Sequence, residues 1–310
     1  MTFGRGQALF FYTSSMTVRY QPAIDFAAVD AIDFHTHVEI DASGHCAYAD
    51  ELAEATGRYF KLGADYFARV DDLAAHYRQH NTAAVVFTID AHTVSGHRPN
   101  SVEELIEGTV RNNDVLIPFG SVDPWDAEAV RRVGELAGDY GVKGFKFHPS
   151  LQGFEPNDRR FYPVYEAIAA AGVPALFHTG QTGLGSALPG GHGIKLRYSD
   201  PMLLDDVAAD FPELTVVMAH PAVPWVDAQI AIASHKANVF VDLSGWSPKY
   251  FPPQLVSAIG RQLRTKALFG TDHPYIALDR WRQDFDALGI DPAVSPLILK
   301  ENALRVLGLA

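Results

Sequence analysis

An α/β chain closed into a (β/α)8 TIM barrel is the fold this sequence predicts, and three observations predict it. Eight short, β-rich apolar runs alternate with amphipathic segments of helical spacing. The runs are apolar almost throughout, which is the texture of parallel strands covered on both faces. Histidine and aspartate stand at the C-terminal ends of these runs, the rim on which such barrels carry their chemistry. An open doubly wound sheet could be built from the same units, but no GxGxxG turn follows the first strand.

The strand runs, in order, are AIDFHTH (31–37), AAVVFTI (83–89), VLIPFGSV (115–122), VKGFKFH (142–148), VPALFHT (173–179), LTVVMAH (214–220), VFVDLSG (239–245) and ALFGTD (267–272). Between them lie YFARVDDLAAHYRQH (66–80), SVEELIEGTVRN (101–112), DAEAVRRVGELAGDY (126–140), DPMLLDDVAADF (200–211) and PPQLVSAIGRQLR (252–264), each with an apolar stripe at helical spacing. Ser101 with Glu104 three residues on, Asp200 before Pro201, and the pair Pro252 and Pro253 are helix-start signals. Strict βα alternation requires parallel strands joined by helical crossovers. No linker or composition break divides the chain, so one barrel domain, 31–310, is expected after an N-terminal extension, 1–30.

At 310 residues, with 47% apolar and 20% charged side chains, the composition is that of an ordinary globular protein. A formal charge of -12 and a pI near 5.5 leave no basic stripe for nucleic acid, so a small-molecule substrate is the expected partner. The single cysteine, Cys46, excludes an intrachain disulfide and a Cys-rich metal site; a reducing compartment, the cytoplasm, is expected. The short ALFF patch (8–11) lacks a cleavage signal, Met16 is a second candidate start, and no apolar stretch has the length to cross a bilayer. Helix faces available to a second subunit leave a homo-oligomer open.

The candidate chemistry lies at the strand ends. His35 and His37 are two apart, so an extended segment turns both to one side, where they can meet one metal ion. A lone buried histidine is ordinarily a core residue; this pair shares its rim with His148, His178, His220 and Asp272. His178 precedes a glycine-rich turn that permits close approach. Asp272 either caps the next helix or binds a cation and takes a proton from water.

An HxH ending the first strand, a His ending the fifth, another ending the sixth and an Asp ending the eighth resemble the amidohydrolase superfamily, amidohydrolase-2 branch, over nearly the whole chain from Asp33 to the terminal ILKENALRVLG. The branch also contains aminocarboxymuconate-semialdehyde and resorcylate decarboxylases. The resemblance implies that His35, His37, His178 and Asp272 hold one divalent metal and that His220 faces the substrate. Zn2+ is the first expectation for such a mixed N/O set, with Mn2+ or Fe2+ as alternatives.

Lys146 departs from the simplest pattern. It can bridge a second metal after carboxylation, neutralise a substrate carboxylate, or pair with Asp33 deep in the barrel. His148 is expected to contact substrate or to position a neighbour. The loop after the first strand, roughly 38–63, is expected to supply surface or lid residues, and the loop after the fifth places His192, Lys195 and Arg197 close together, either as a solvated loop or as an anion site with Arg197 the bidentate grip. Trp246 either offers a flat wall to an aromatic or unsaturated substrate or packs under its loop.

The leading functional expectation is metal-assisted hydrolysis of a carbonyl compound, an aromatic or unsaturated keto acid or its acyl-CoA derivative, with Asp272 as proton acceptor and His220 helping to polarise the carbonyl. GFKFHPSLQGF, ALFHTGQTG, SDPMLLDDVAADFP and DLSGWSPKYFPPQL resemble, more narrowly, 4-hydroxyphenyl-β-ketoacyl-CoA hydrolases. The alternative is a non-oxidative decarboxylase using the same metal, with Asp272 or His220 delivering a proton to carbon. A barrel that binds metal or a small acid without turnover is the third expectation.

Overall fold

The computed structural model describes residues 18–63 and 66–310; Met16 and the ALFF patch lie outside the described residues. Eight parallel strands follow one another: β1 Ala31–His37, β2 Thr82–Phe87, β3 Leu116–Pro118, β4 Phe145–Phe147, β5 Ala175–His178, β6 Val216–Ala219, β7 Val239–Asp242 and β8 Ala267–Leu268. Continuous ladders run β1-β2-β3 and β4-β5-β6-β7-β8. Two seams join them into a barrel. At one, the Gly120 N–H donates to Gly144 O (2.8 Å) and the Lys146 N–H to Gly120 O (2.9 Å). At the other, the N–H groups of Phe34, Asp272 and His37 donate to Phe269, His35 and His273 carbonyls, each at 2.9 Å. Gly120 belongs there because a Cβ would come within 2.8 Å of the Phe145 ring.

Several strands are shorter than their apolar runs. β3 stops at Pro118, whose nitrogen has no proton for a ladder, and only the single Gly120 bridge continues towards β4. The helices start where the sequence signals them: the Ser101 side chain accepts from the Glu104 N–H at the head of Val102–Arg111. Helix Ala129–Glu135 continues as a π-helical turn, Leu136–Tyr140, and stops at left-handed Gly141. Among the described residues no helix is long and apolar enough to cross a membrane.

The core has two layers. Ile32, Phe34, Val85, Ile117, Leu176, Val217 and Leu268 fill the barrel interior, which Ile24 and the C-terminal Ala303, Val306 and Leu307 close from below. The intervening strand residues, among them Val86, Phe147, Phe177 and Val241, pack outwards against the helices. Residues 18–30 lie against this body, with Tyr20 buried and its hydroxyl donating to Leu116 O (2.7 Å).

Asp33 ties the β1–β8 seam from behind. Its carboxylate accepts from the Thr271 N–H (2.9 Å) and hydroxyl (2.6 Å), the Tyr77 hydroxyl (2.6 Å) and the His35 N–H (3.1 Å). Burial pushes its pKa up to about 6 although all four donors favour the charged form. Asp33→Ala would strand several buried donors, so urea unfolding should show a loss of about 3 kcal/mol or more; a loss below about 1 kcal/mol would contradict the clamp.

Candidate active site

His178 reaches the rim by plain alternation, two residues beyond the interior Leu176, whereas the ends of β1, β6 and β8 break phase to join it. Regular alternation would send Phe34 and His35 to opposite faces. A register shift between Asp33 and Thr36 lets Phe34 stay in the barrel interior while His35 and His37 both turn inwards above it, each edge-on to Phe87. His220 and Asp272 carry φ of 70° and 66°, left-handed values that non-glycine residues adopt at a cost and that concentrate at functional sites. His220 fits only because Gly245 stands opposite it, where a Cβ would collide with the imidazole.

Two carboxylates set the protons of the first-strand pair. His35 Nδ1 lies 2.6 Å from Asp242 Oδ2, and His37 Nδ1 lies 2.7 Å from Glu39 Oε1. An ionised carboxylate accepts, which places the imidazole proton on Nδ1 and turns Nε2 to the cluster. For His35 this holds only when a nearby cation keeps Asp242 ionised, because burial alone pushes Asp242 up to about 8. Both Nε2 atoms approach Asp272 Oδ1, at 3.2 and 3.1 Å. That oxygen makes no hydrogen bond, and neither does the buried His178 Nε2. Donor atoms of His35, His220 and Asp272 lie within 4.8 Å of one another. Lone pairs converging in a dry place repel unless a cation lies among them, and imidazole with carboxylate is a donor set that divalent ions accept. The residues therefore fit a divalent metal.

Burial keeps four of the imidazoles neutral, as ligands or orienting groups need to be, whereas His37 forms an ion pair with Asp272 that a cation would have to replace. Burial drives His35, His148 and His178 well below the ordinary imidazole value, with Lys146 adding to the effect on His35. Burial lowers His220 to about 4. His37 goes the other way, because Asp272 and Glu39 outweigh its burial. Asp272 is likewise buried, yet His220, His37 and Lys146 hold its carboxyl below the usual range. Lys146 is fully buried beneath the cluster, its Nζ 3.1 Å from His35 Nε2, and burial lowers it to about 8.

Above the cluster opens a cleft of about 350 Å³. His37, His148, His178, His220 and Asp272 form its floor; Tyr59, Phe60, Trp246, Tyr250 and Tyr275 form its walls. Tyr59, Phe60 and Lys61 come from the end of helix Asp50–Phe60 in the first strand-end loop, which thus overhangs the floor. His148 stacks on His178 with centroids 3.9 Å apart.

Two residues expected at the substrate stand elsewhere. Lys146 does not line the cleft, and it does not pair with Asp33, whose carboxylate is taken by Thr271 and Tyr77. Arg197 is exposed and turned away, its Nε 3.4 Å from Glu155 and its guanidinium over the Tyr198 ring. The cations on the cleft are Lys61 and Arg280.

Glu39, Asp242 and Ser244 join the site although no motif singles them out. The Ser244 hydroxyl stands 2.7 Å from Asp242 Oδ2, 3.0 Å from His35 Nδ1 and 2.9 Å from His220 Nδ1, joining two imidazoles to one carboxylate. Asp242 ends a strand run as His35, His178 and His220 do, and Glu39 continues the two-residue step of His35 and His37; those were the available signals.

Comparison with known proteins adds the family. An amidohydrolase family model (amidohydrolase-2) matches residues 32–309. An uncharacterised TIM-barrel protein from Bordetella bronchiseptica is similar at 22% identity and TM-score 0.73, covering 90% of this chain and 98% of that one. A 5-carboxyvanillate decarboxylase from Novosphingobium aromaticivorans, complexed with manganese and 4-hydroxy-3-methoxy-5-nitrobenzoic acid, is similar at 16% identity and TM-score 0.64, covering 95% and 100%. A probable 2-pyrone-4,6-dicarboxylic acid hydrolase from Acinetobacter baumannii, with citric acid bound, is similar at 15% identity and TM-score 0.59, covering 90% and 100%. Further similar structures include 2,6-dihydroxybenzoate decarboxylases. No curated protein matches the chain. These matches support the family and the barrel, and they do not support the narrower ketoacyl-CoA hydrolase group.

The depressed His220 makes a pH prediction for the metal-free protein. Below 6.5 the unfolded chain takes up a proton on this imidazole, whereas the folded chain does not until about 4, so stability from this group is complete above 6.5 and lost as pH falls towards 4. Relative to His220→Gln, the wild type should lose about 3 kcal/mol more in urea unfolding between about pH 7 and pH 4. Parallel pH curves for the two proteins would show that His220 is not held neutral.

Proposed function

The chain belongs to the amidohydrolase-2 family of metal-dependent enzymes, and from that premise we propose that it is a non-oxidative decarboxylase of an aromatic or unsaturated acid. The observation that carries the reading is the aromatic-walled cleft whose floor is the converging imidazole and carboxylate set. An aromatic acid can stack on Trp246, Tyr250 or Phe60 with its carboxylate directed downwards, while Lys61 or Arg280 meets a second anionic group at the rim. The likeness to decarboxylases, one of them complexed with manganese and a substituted benzoic acid, supports this choice over hydrolysis.

His35, His37, His178 and Asp272 would hold the cation, Zn2+ and Mn2+ both suiting the set. When bound, it supplies an electrophile for the substrate carboxylate and a neighbouring oxygen. The protein's own groups manage the proton. Asp272, ionised between His37 and His220, accepts a proton from a substrate hydroxyl beside the carboxylate and returns it to the carbon that bears that carboxylate. The bond from that carbon to the carboxylate then breaks, its electrons stay on the ring carbon, and carbon dioxide leaves. His220, kept neutral by burial and oriented by Ser244, faces the same carbon and excludes water from it together with the aromatic walls.

Hydrolysis is the second reading, favoured by one observation: an ionised Asp272 is also the form that accepts a proton from water. With 5-carboxyvanillate or 2,6-dihydroxybenzoate as probes, carbon dioxide release with solvent deuterium at the vacated carbon is the expected result. Labelled oxygen from water in a product acid, with no carbon dioxide released, would move the assignment to hydrolysis. Chelation should abolish turnover, and His178→Ala should lose both metal and activity.

A binding readout tests the donor set without turnover. Glu39→Gln and Asp242→Asn leave His37 and His35 without a proton-accepting carboxylate, so each should weaken metal affinity by about 10- to 100-fold in a competition titration. Unchanged affinity in both variants would remove these imidazoles from the ligand set.

A further inference from the structure

We propose that a second cavity on the same rim binds a small amphipathic carboxylate, its apolar body inside and its anionic end at Lys195. The cavity has about 400 Å³, no smaller than the metal cleft. Leu52, Ile89, Ala91 and Leu151, all buried, form its apolar wall, and His192 and Lys195 from the loop after β5 stand at its mouth. A cavity of this size that joins an apolar wall to polar side chains, here Ser95, His97, Ser150 and Tyr198 besides His192 and Lys195, has the form of a small-molecule site.

The charge pattern selects the ligand. The chain carries 37 Asp and Glu against 25 Lys and Arg, yet no acidic side chain is among the described residues lining this cavity. Lys195 has no ion-pair partner among the described residues; its Nζ lies 5.9 Å from the Tyr198 ring, whereas the neighbouring Arg197 is paired with Glu155. The segment is pinned, because the Ser150 hydroxyl donates to Lys195 O (2.9 Å) and lies 2.7 Å from the Ser199 hydroxyl. An unpaired ammonium at the mouth of an acid-free apolar cavity recognises one carboxylate at the end of an apolar group.

The cavity is distinct from the metal cleft, with the Tyr48 side chain as the wall common to both. The Tyr48 hydroxyl donates to Glu39 Oε1 (2.9 Å), the same oxygen that receives the His37 ring proton. A ligand in the second cavity therefore rests against a residue hydrogen-bonded to the metal-site framework.

The test uses 4-phenylbutyrate and the full chain, titrated calorimetrically before and after metal removal by chelation. The expected result is one saturable site that survives chelation and binds the uncharged 4-phenylbutanol at least about tenfold more weakly. Lys195→Met should weaken the acid by a similar factor while leaving turnover unchanged, and Val94→Trp, a replacement at an exposed lining position, should block binding. Binding lost on chelation would assign the acid to the metal cleft and overturn the proposal. So would unchanged affinity in both variants, or no saturation up to about 10 mM. Because turnover is measured separately, failure here leaves the decarboxylase reading standing.

Discussion

His35 Nε2, His37 Nε2 and Asp272 Oδ1 crowd together inside the protein interior, with Lys146 Nζ beneath as the donor to His35. That is an unfavourable arrangement by itself, and much of the upper barrel maintains it. Asp242 and Glu39 draw the imidazole protons to the far side of each ring, Tyr48 and Thr88 donate to Glu39, and Ser244 donates to Asp242. Each of these groups is buried and satisfied. The structure thus crowds acceptors at one point, Asp272 Oδ1 among them without a hydrogen bond, and a divalent cation there would satisfy them.

The backbone makes a corresponding concession. A barrel strand alternates faces, and a strand end that obeyed alternation would split its chemistry between the lumen and the helices. Here β1 shifts register and the residues at 220 and 272 turn left-handed. Neighbouring constraints hold these departures: the seam hydrogen bonds at His35 and His37, the Asp33 clamp behind Thr271, and Gly245 opposite the His220 ring. Strain at the rim is thus held by contacts from several strands.

Burial also fixes what the imidazoles can do. In a chain of formal charge -12, the rim histidines His35, His148, His178 and His220 are kept neutral by desolvation, not by lack of nearby acids. Neutral rings are ligands and orienting groups. Positive charge at the centre is supplied by Lys146 beneath the cluster, and a divalent ion there would add to it, under a cleft walled by aromatic side chains.

The order of βα units, the parallel barrel and the rim that carries the chemistry were legible in the sequence, because alternation of apolar texture and the type of residue ending each run are local properties of the chain. His35, His37, His178, His220 and Asp272 could be singled out on that basis. The pairing of His35 with Asp242, 207 residues away, could not, since no local pattern reports which carboxylate receives a ring proton. Nor could the choice of cations: Arg197 and Lys61 are both loop residues, and only the folded path of their loops turns Lys61 to the cleft and Arg197 to Glu155. Periodicity specifies which face a residue occupies relative to its neighbours, whereas a register shift or a left-handed residue resets that phase through contacts with distant segments, and here those resets decide what points at the site.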